Sequence, residues 1–440
     1  MRQRIRGNGD TARTGGQDSS TMGMTGFAAI AAAIALLALR MPVALALMLA
    51  GGTGLALVGA GDQAWRQVDA LLRAPDLLAV PLVLLLGNLA FYAGFATRVH
   101  DAAAVLLQNR RGGLAGAAIL GCAGFAATCG SSVACAATMS RIAVPEMLRA
   151  GYDPRLAGAS VAMGSTLGAL LAPSMLLILW ALLSGTPVAA VFLAALLPAA
   201  LSLAGMIAVL SWWTRHDPQA APPSQALLPP RGAALRAIWP APVVFGIILG
   251  GIWSRAMSLV VALATCVALT LAVAILQHRL TLETLWSALR GSLAQAAMIL
   301  LVLVAARLFL TFLDMTGLPA MLAQGTAALP RLATILLLGL ACAALGLLAE
   351  PVAILVLTLP FALAIGTAYG QEPVWSGILL VKLVEIALIL PPLGLNAVVV
   401  ATAARDIPAR AVFGGLGRFL FLDLLVVAAL ALFPALIGGF

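Results

Sequence analysis

The chain alternates long apolar runs with short polar connections, after a polar head and around one proline-rich segment near its middle. A run of about 20 mostly apolar residues is long enough to cross a bilayer as a helix. Residues 24–39 and 42–60 are expected as two spans joined at Arg40-Met41-Pro42, a connection short enough to force antiparallel neighbours. Residues 61–76 set Trp65, Val68, Leu71 and Leu72 against Arg66, Asp69 and Arg73, the pattern of an interfacial helix. A third span is expected over 77–97, and a surface helix with a basic end over 98–113.

Two later stretches do not suit simple spans. Residues 114–139 carry Ala-Thr-Cys-Gly-Ser-Ser-Val-Ala-Cys in their middle, where a spanning helix would hold Leu and Val. Two short arms meeting at a Gly-Ser tip fit better, a re-entrant hairpin. Irregular backbone at membrane depth survives only where protein or a polar cavity shields it. Residues 155–180 are interrupted by Gly164-Ser165-Thr166, Gly168 and Ala172-Pro173-Ser174, which predicts a helix broken near mid-membrane. A span over 187–213 closes this half.

Pro218, Pro222, Pro223, Pro229 and Pro230 mark residues 214–237 as a linker, assigned to the cytoplasm, that separates a first membrane half (22–213) from a second (238–440). Beyond it come spans 238–253, 257–277 and 293–313. A second hairpin follows over 331–368, then a second broken helix over 374–403, interrupted at Leu390-Pro391-Pro392-Leu393-Gly394, and a last span over 412–437. The head, residues 1–21, carries four arginines without apolar periodicity. It is expected to be disordered, with translation starting at Met22 or Met24.

Landmarks of the first half recur in order in the second: Pro145 with Pro360, Pro154 with Pro373, Pro173 with Pro392, and Pro187 with Pro408. Each half therefore reads as span, hairpin, broken helix, span. The expected fold is an all-α integral membrane protein. It has about ten spans and two re-entrant hairpins, in two inverted repeats of an elevator-type transporter. Inverted repeats whose broken helices meet at the midplane are the architecture of secondary transporters.

Composition closes off other classes. The 440 residues are 62% hydrophobic and 9% charged, against roughly 25% charged in soluble domains. Soluble enzymes, nucleic-acid modules and disulfide scaffolds are excluded. The net charge of +9 comes from 25 basic residues, all but one of them arginine, scattered between apolar runs. Basic residues are retained on the cytoplasmic side. Arg40, Arg98, Arg110, Arg141, Arg149, Arg215, Arg279, Arg405 and Arg410 fall on one side once the N-terminus is placed outside. The polar head is the exception.

The five cysteines lie in apolar stretches without a CxxC pair and read as small buried residues. The three histidines read as members of polar connections without a carboxylate partner. Asn88, within a span, is expected to make an interhelical hydrogen bond. Lys382 and Glu385, three residues apart on one helix, are expected to pair with each other.

Chemistry concentrates at the breaks. A helix that stops in mid-membrane leaves its last carbonyls and first amides without partners. Carbonyls suit a cation and amides an anion, with the helix dipole aiding both. Ser131 and Ser132 add hydroxyls at the first tip, as do Thr166 and Ser174 at the first break. Gly130, Gly164 and Gly168 permit close approach. Read in isolation, such small residues merely pack helices; repeated at two breaks, they read as a binding site. Glu350 at the second tip reads equally as a functional carboxylate and as the residue preceding a helix that starts at Pro351. An intramembrane hydrolase using Ser131 or Ser132 would need a base beside the hydroxyl, and no histidine lies in an apolar segment.

Taken together, these motifs resemble the large permease subunit of tripartite ATP-independent periplasmic (TRAP) transporters, the DctM-like family. The matches run from Arg40-Met41-Pro42-Val43-Ala44 through Cys129-Gly130-Ser131-Ser132, Val144-Pro145-Glu146-Met147, Gly151-Tyr152-Asp153, Gly164-Ser165-Thr166-Leu167-Gly168 and Pro173-Ser174. In the second half they continue with Leu345-Gly346 to Glu350-Pro351, Pro360, Glu385-Ile386 and Pro391-Pro392-Leu393-Gly394-Leu395-Asn396. The chain departs from the family pattern at Ala172, Glu350, Ala387 and Leu390, where the family usually has Pro, Asp, Gly and Thr. Lys382 is charged where the family normally is not.

The resemblance implies a multi-pass bacterial inner-membrane protein, not an enzyme, that imports a small organic acid such as a C4-dicarboxylate or sialic acid. It implies Na⁺ as coupling ion and no other cofactor. It also implies a small four-span membrane subunit, a periplasmic substrate-binding protein and no nucleic acid as partner. The implied ion and substrate residues are Gly130, Ser131, Ser132, Gly164, Thr166, Gly168, Pro173, Ser174, Gly346, Glu350, Pro391, Pro392, Gly394 and Asn396, with Ser131, Ser132 and Thr166 as Na⁺ ligands. A sodium- or proton-coupled carboxylate carrier working without a binding protein is the alternative.

Overall fold

The computed structural model describes residues 11–222 and 230–437, with side chains from Gly23 onward. Among these residues every regular element is helical. Seven helices are long and apolar enough to cross a membrane: Pro75–Tyr92, Val188–His216, Arg231–Trp253, Leu259–Leu276, Leu282–Met315, Pro351–Ala368 and Ala409–Leu432. Shorter apolar helices complete the membrane body, and four of them, Gly113–Cys129, Met175–Ser184, Arg331–Leu345 and Leu395–Ala404, begin or end at a tip or break.

The first helix, Thr11–Ala38, turns back into Val43–Val58 through Arg40 in the left-handed conformation, φ 63°. The polar segment 11–21 continues this helix, which corrects the expectation of disorder there. A stretch without an apolar stripe gives no helical signal, yet it can extend a helix that packing has already nucleated. Residues 1–10 of the head, and 223–229 of the linker, lie outside the described residues.

Val43–Val58 packs against the 34-residue helix Leu282–Met315. Contact is close because Gly51 faces the backbone of Phe309, where a methyl would stand 2.5 Å from Cα, and Gly54 faces the Phe312 ring. Small residues at such seams let helices approach where lipid offers no hydrophobic drive. Leu282–Met315 starts at a capping box between Thr281 and Thr284. It also packs on Pro75–Tyr92, tied by Asn88 Nδ2 donating to Ser292 Oγ at 2.8 Å, the interhelical bond expected of Asn88.

The first hairpin consists of Gly113–Cys129 and Ser132–Arg149, its second arm ten residues longer than the apolar pattern. The first broken helix runs through Pro154–Ser165, a 3₁₀ turn at Thr166–Ala169, and Met175–Ser184. The second hairpin consists of Arg331–Leu345 and Pro351–Ala368, and the second broken helix of Pro373–Ala387 and Leu395–Ala404. The recurring prolines hold recurring places. Pro145 and Pro360 lie inside second arms, and Pro154 and Pro373 begin broken helices. Pro173 and Pro392 each follow a cis peptide bond at a break.

After Val188–His216 the chain makes a 3₁₀ turn, Pro218–Ala220, which docks on the loop before the first broken helix. There the Asp153 amide donates to the Ala220 carbonyl at 3.0 Å. Trp212, Trp239, Trp253 and Trp286 are exposed near helix ends, where indoles sit at a membrane interface.

One histidine departs from expectation. His100 lies on Phe95–Leu107, which packs on the first hairpin arm, and it is 1% exposed with Nε2 2.9 Å from Glu146 Oε2. The expected surface helix is covered on one face. Its alanines (Ala102, Ala103 and Ala104) form that buried face and carry no strong apolar signal. Beside this pair, burial lifts the Asp101 carboxyl above its usual range, with His100 opposing and Glu146 reinforcing the shift.

Candidate functional site

The first tip is built by a change of backbone hand. Gly130, at φ 63°, ends the first arm, and Ser131, extended at φ −139°, begins the second by accepting the Ala134 amide on Oγ at 3.3 Å. This tip sits directly on the first break. The Met175 amide donates to the Gly130 carbonyl at 3.0 Å. A methyl at Gly130 would strike the Pro173 carbonyl. A methyl at Gly168 would stand 2.9 Å from the Ser131 carbonyl carbon and the Ser132 nitrogen. Glycine at both places is a requirement of contact, and no larger residue fits without moving the tip.

Five of the singled-out residues are thus brought together, Gly130 against Pro173 and Gly168 against Ser131 and Ser132. Thr166 and Ser174 flank them on the broken helix. Thr166 Oγ1 donates to the Met163 carbonyl at 2.7 Å, and Ser174 accepts the Leu177 amide at 3.4 Å while donating to the Ala169 carbonyl. Each hydroxyl oxygen keeps acceptor capacity, as a cation ligand must. Gly164 stands apart from the tip: a methyl there would meet Cys122 of the first arm at 3.1 Å.

The second tip is looser. Gly346 faces the end of Pro373–Ala387, where a methyl would stand 3.1 Å from Ala387 Cβ. Glu350 holds the N-cap position of Pro351–Ala368, but its side chain makes no capping hydrogen bond and is exposed. Pro391, Pro392 and Leu393 are exposed too. Gly394 and Asn396 are buried; the Asn396 amide nitrogen donates to the Leu388 carbonyl at 2.9 Å across the break, while both side-chain polar atoms lack a partner.

Two of the seams between the halves lie beside the breaks. Trp180 of Met175–Ser184 lies over Gly377 of Pro373–Ala387, so close that glycine alone fits. The second arm of the first hairpin packs along Leu395–Ala404. Between these last two elements opens a cavity of about 640 Å³ lined by Ala137, Arg141, Val398, Val399, Thr402, Ala403 and Arg405. Its volume is that of a small-molecule site. Its two guanidiniums have no ion-pair partner among the described residues. A site of this make-up can hold an anion. Arg141 and Arg405 were assigned from sequence only to one side of the membrane; their convergence depends on how the two halves pack.

The expected Lys382–Glu385 pair is not formed. Lys382 Nζ instead lies 2.7 Å from Asp423 Oδ1 on Ala409–Leu432, and both side chains are fully buried. The two helices run antiparallel, and Trp375 Nε1 donates to the Leu430 carbonyl two turns away on each. The long lysine therefore reaches across to the neighbouring helix. The signal was present in the sequence: Asp423 is a lone carboxylate within an apolar span, a costly placement that asks for a partner. Glu385 is left fully buried with neither oxygen hydrogen-bonded, facing Ser132. Among the described residues no group of three His, Cys, Asp or Glu side chains forms a transition-metal site.

The family described as "Tripartite ATP-independent periplasmic transporter, DctM component" matches residues 30–436. The C4-dicarboxylate TRAP transporter large permease protein DctM of Pseudomonas aeruginosa is 31% identical, over 82% of this chain and 84% of its own length. The sialic acid permease SiaM of Vibrio cholerae is 28% identical over 81% and 84%. The ectoine permease TeaC of Halomonas elongata is 27% identical over 92% and 96%. The crystal structure of the YdaH transporter of Alcanivorax borkumensis shares the fold, with TM-score 0.58 and 16% identity, covering 86% of this chain and 89% of that one. The chain is a membrane transporter subunit and belongs to the DctM component family of tripartite ATP-independent periplasmic transporters.

Proposed function

We propose that the chain is the large subunit of a sodium-coupled importer of a small organic anion in the bacterial inner membrane. It works with a four-span membrane subunit and a periplasmic protein that delivers the anion. The observation that carries this reading is the cavity between the two halves, where Arg141 and Arg405 offer charge to a carboxylate. C4-dicarboxylates, sialic acid and ectoine, named for three relatives, all carry that group. Sodium is assigned to the first tip, where Ser131, Ser132 and Thr166 supply hydroxyl oxygens beside backbone carbonyls. Glu350, Pro391, Pro392, Gly394 and Asn396 are assigned to the substrate path at the second break, with Leu390 removing a hydroxyl from any second ion site.

The test is uptake of radiolabelled carboxylates into proteoliposomes holding both membrane subunits. Accumulation is expected only with an inward Na⁺ gradient and the cognate periplasmic protein outside. Accumulation without that protein would favour a stand-alone carrier. Full uptake under a proton gradient with Na⁺ absent would overturn sodium coupling.

A further inference from the structure

We propose that Arg98 and Arg279 form a binding site for the phosphate group of an anionic phospholipid at the membrane interface. Two chain reversals place them there. Gly94, left-handed at φ 75°, turns the chain out of Pro75–Tyr92 into Phe95–Leu107, and the Arg98 amide donates back to its carbonyl at 3.2 Å. His278, left-handed at φ 50°, closes Leu259–Leu276: its amide donates to the Ile275 carbonyl at 2.9 Å. The Arg279 amide donates to the Ala274 carbonyl at 3.0 Å. This pair of bonds folds Arg279 back over the helix end. Leu259–Leu276 packs along Pro75–Tyr92, and the two arginines are near enough to repel each other. Burial, and then that repulsion, hold the Arg98 guanidinium below its usual pKa.

Among the described residues neither guanidinium has an ion-pair partner. Asp101, one turn past Arg98, faces His100 and Glu146, and Glu283, four residues past Arg279, forms no ion pair with it. Two cations held together repel, and an anion seated between them turns that repulsion into attraction. Guanidinium is the group that grips phosphate oxygens in pairs. The adjoining surface selects a lipid over a free anion. Phe91, just before the first reversal, is 46% exposed, and Ile275 and Leu276, just before the second, are 54% and 78% exposed. They end the apolar runs of two spans, so surface fit for acyl chains adjoins the charges on both elements. Both arginines fall on the side assigned to the cytoplasm, where basic pockets between spans hold anionic head groups. The site shares no residue with the tips, the breaks or the seam cavity.

The test is native mass spectrometry of the purified full chain offered phosphatidylglycerol, phosphatidylethanolamine with the same acyl chains, or inorganic phosphate. Phosphatidylglycerol is expected to be retained about tenfold over phosphatidylethanolamine and to raise the melting temperature. Arg98→Gln/Arg279→Gln should abolish that preference. Arg215→Gln/Arg410→Gln, which removes two exposed charges assigned to the same side, should keep it. Equal retention of the two lipids by the unaltered protein would overturn the proposal without recourse to a variant. So would a preference that survives the loss of both arginines. Displacement of the lipid by an equal concentration of inorganic phosphate would overturn it in favour of a soluble anion. Loss of the lipid on adding the four-span subunit would overturn it in favour of a protein contact. No transport is measured, so this proposal and sodium coupling fail separately.

Discussion

Lys382 and Asp423 form an ion pair at 2.7 Å with no exposure on either side chain, joining the second broken helix to the last helix of the chain. Removing one member of such a pair strands a charge, at a cost of about 3–5 kcal/mol, while replacing both with apolar groups is often nearly neutral. Lys382→Met and Asp423→Asn should each lower the melting temperature in detergent by several degrees. The double variant Lys382→Met/Asp423→Leu should recover most of the loss. Lys382→Met combined with Glu385→Gln should show no such recovery. If it recovers as well, the lysine's partner is Glu385 after all.

Gly168 tests the seat of the first tip. A methyl there meets peptide backbone at 2.9 Å, which cannot move aside cheaply. Gly168→Ala should cost about 1–3 kcal/mol by overpacking and reduce uptake strongly. Gly52→Ala, where nothing lies within 4 Å, should be neutral or slightly stabilising and serves as control. Equal uptake by both variants would show that tip and break need not touch.

Charge in the seam cavity should set substrate affinity. Arg141→Gln and Arg405→Gln are each expected to raise the KM for the transported anion about tenfold, equivalent to roughly 1.4 kcal/mol. Maximal rate and melting temperature should change little, because both residues are exposed. Unchanged KM in both variants would remove the anion from this cavity.

Sodium dependence can be read at the first tip. Ser131→Ala and Ser132→Ala should each raise the Na⁺ concentration for half-maximal uptake several-fold. Ser131 also caps a helix, worth about 1 kcal/mol. Ser131→Gly, which costs a cap only a few tenths of that, separates the two roles: it should retain stability and still lose Na⁺ affinity.

The features legible from residue order alone were local. Apolar runs fixed where helices form. Gly130 followed by Ser131, and Pro173 and Pro392 within apolar runs, fixed where they must stop, because backbone hand and missing amides act over one or two turns. The order of prolines disclosed the internal repeat for the same reason. Which helices meet, and which side chains face each other across the seam, came from the packing. Lys382 was legible as a buried cation, but its partner was not: helical spacing offered Glu385 one turn away, whereas antiparallel packing brought Asp423 closer. His100 looked solvated until its helix packed an alanine-rich face on the first hairpin arm. Arg141 and Arg405 lie far apart in the chain and carry no mutual signal, yet they line one cavity. A side chain's reach across a helix–helix seam depends on crossing geometry and register, which a one-dimensional periodicity does not contain.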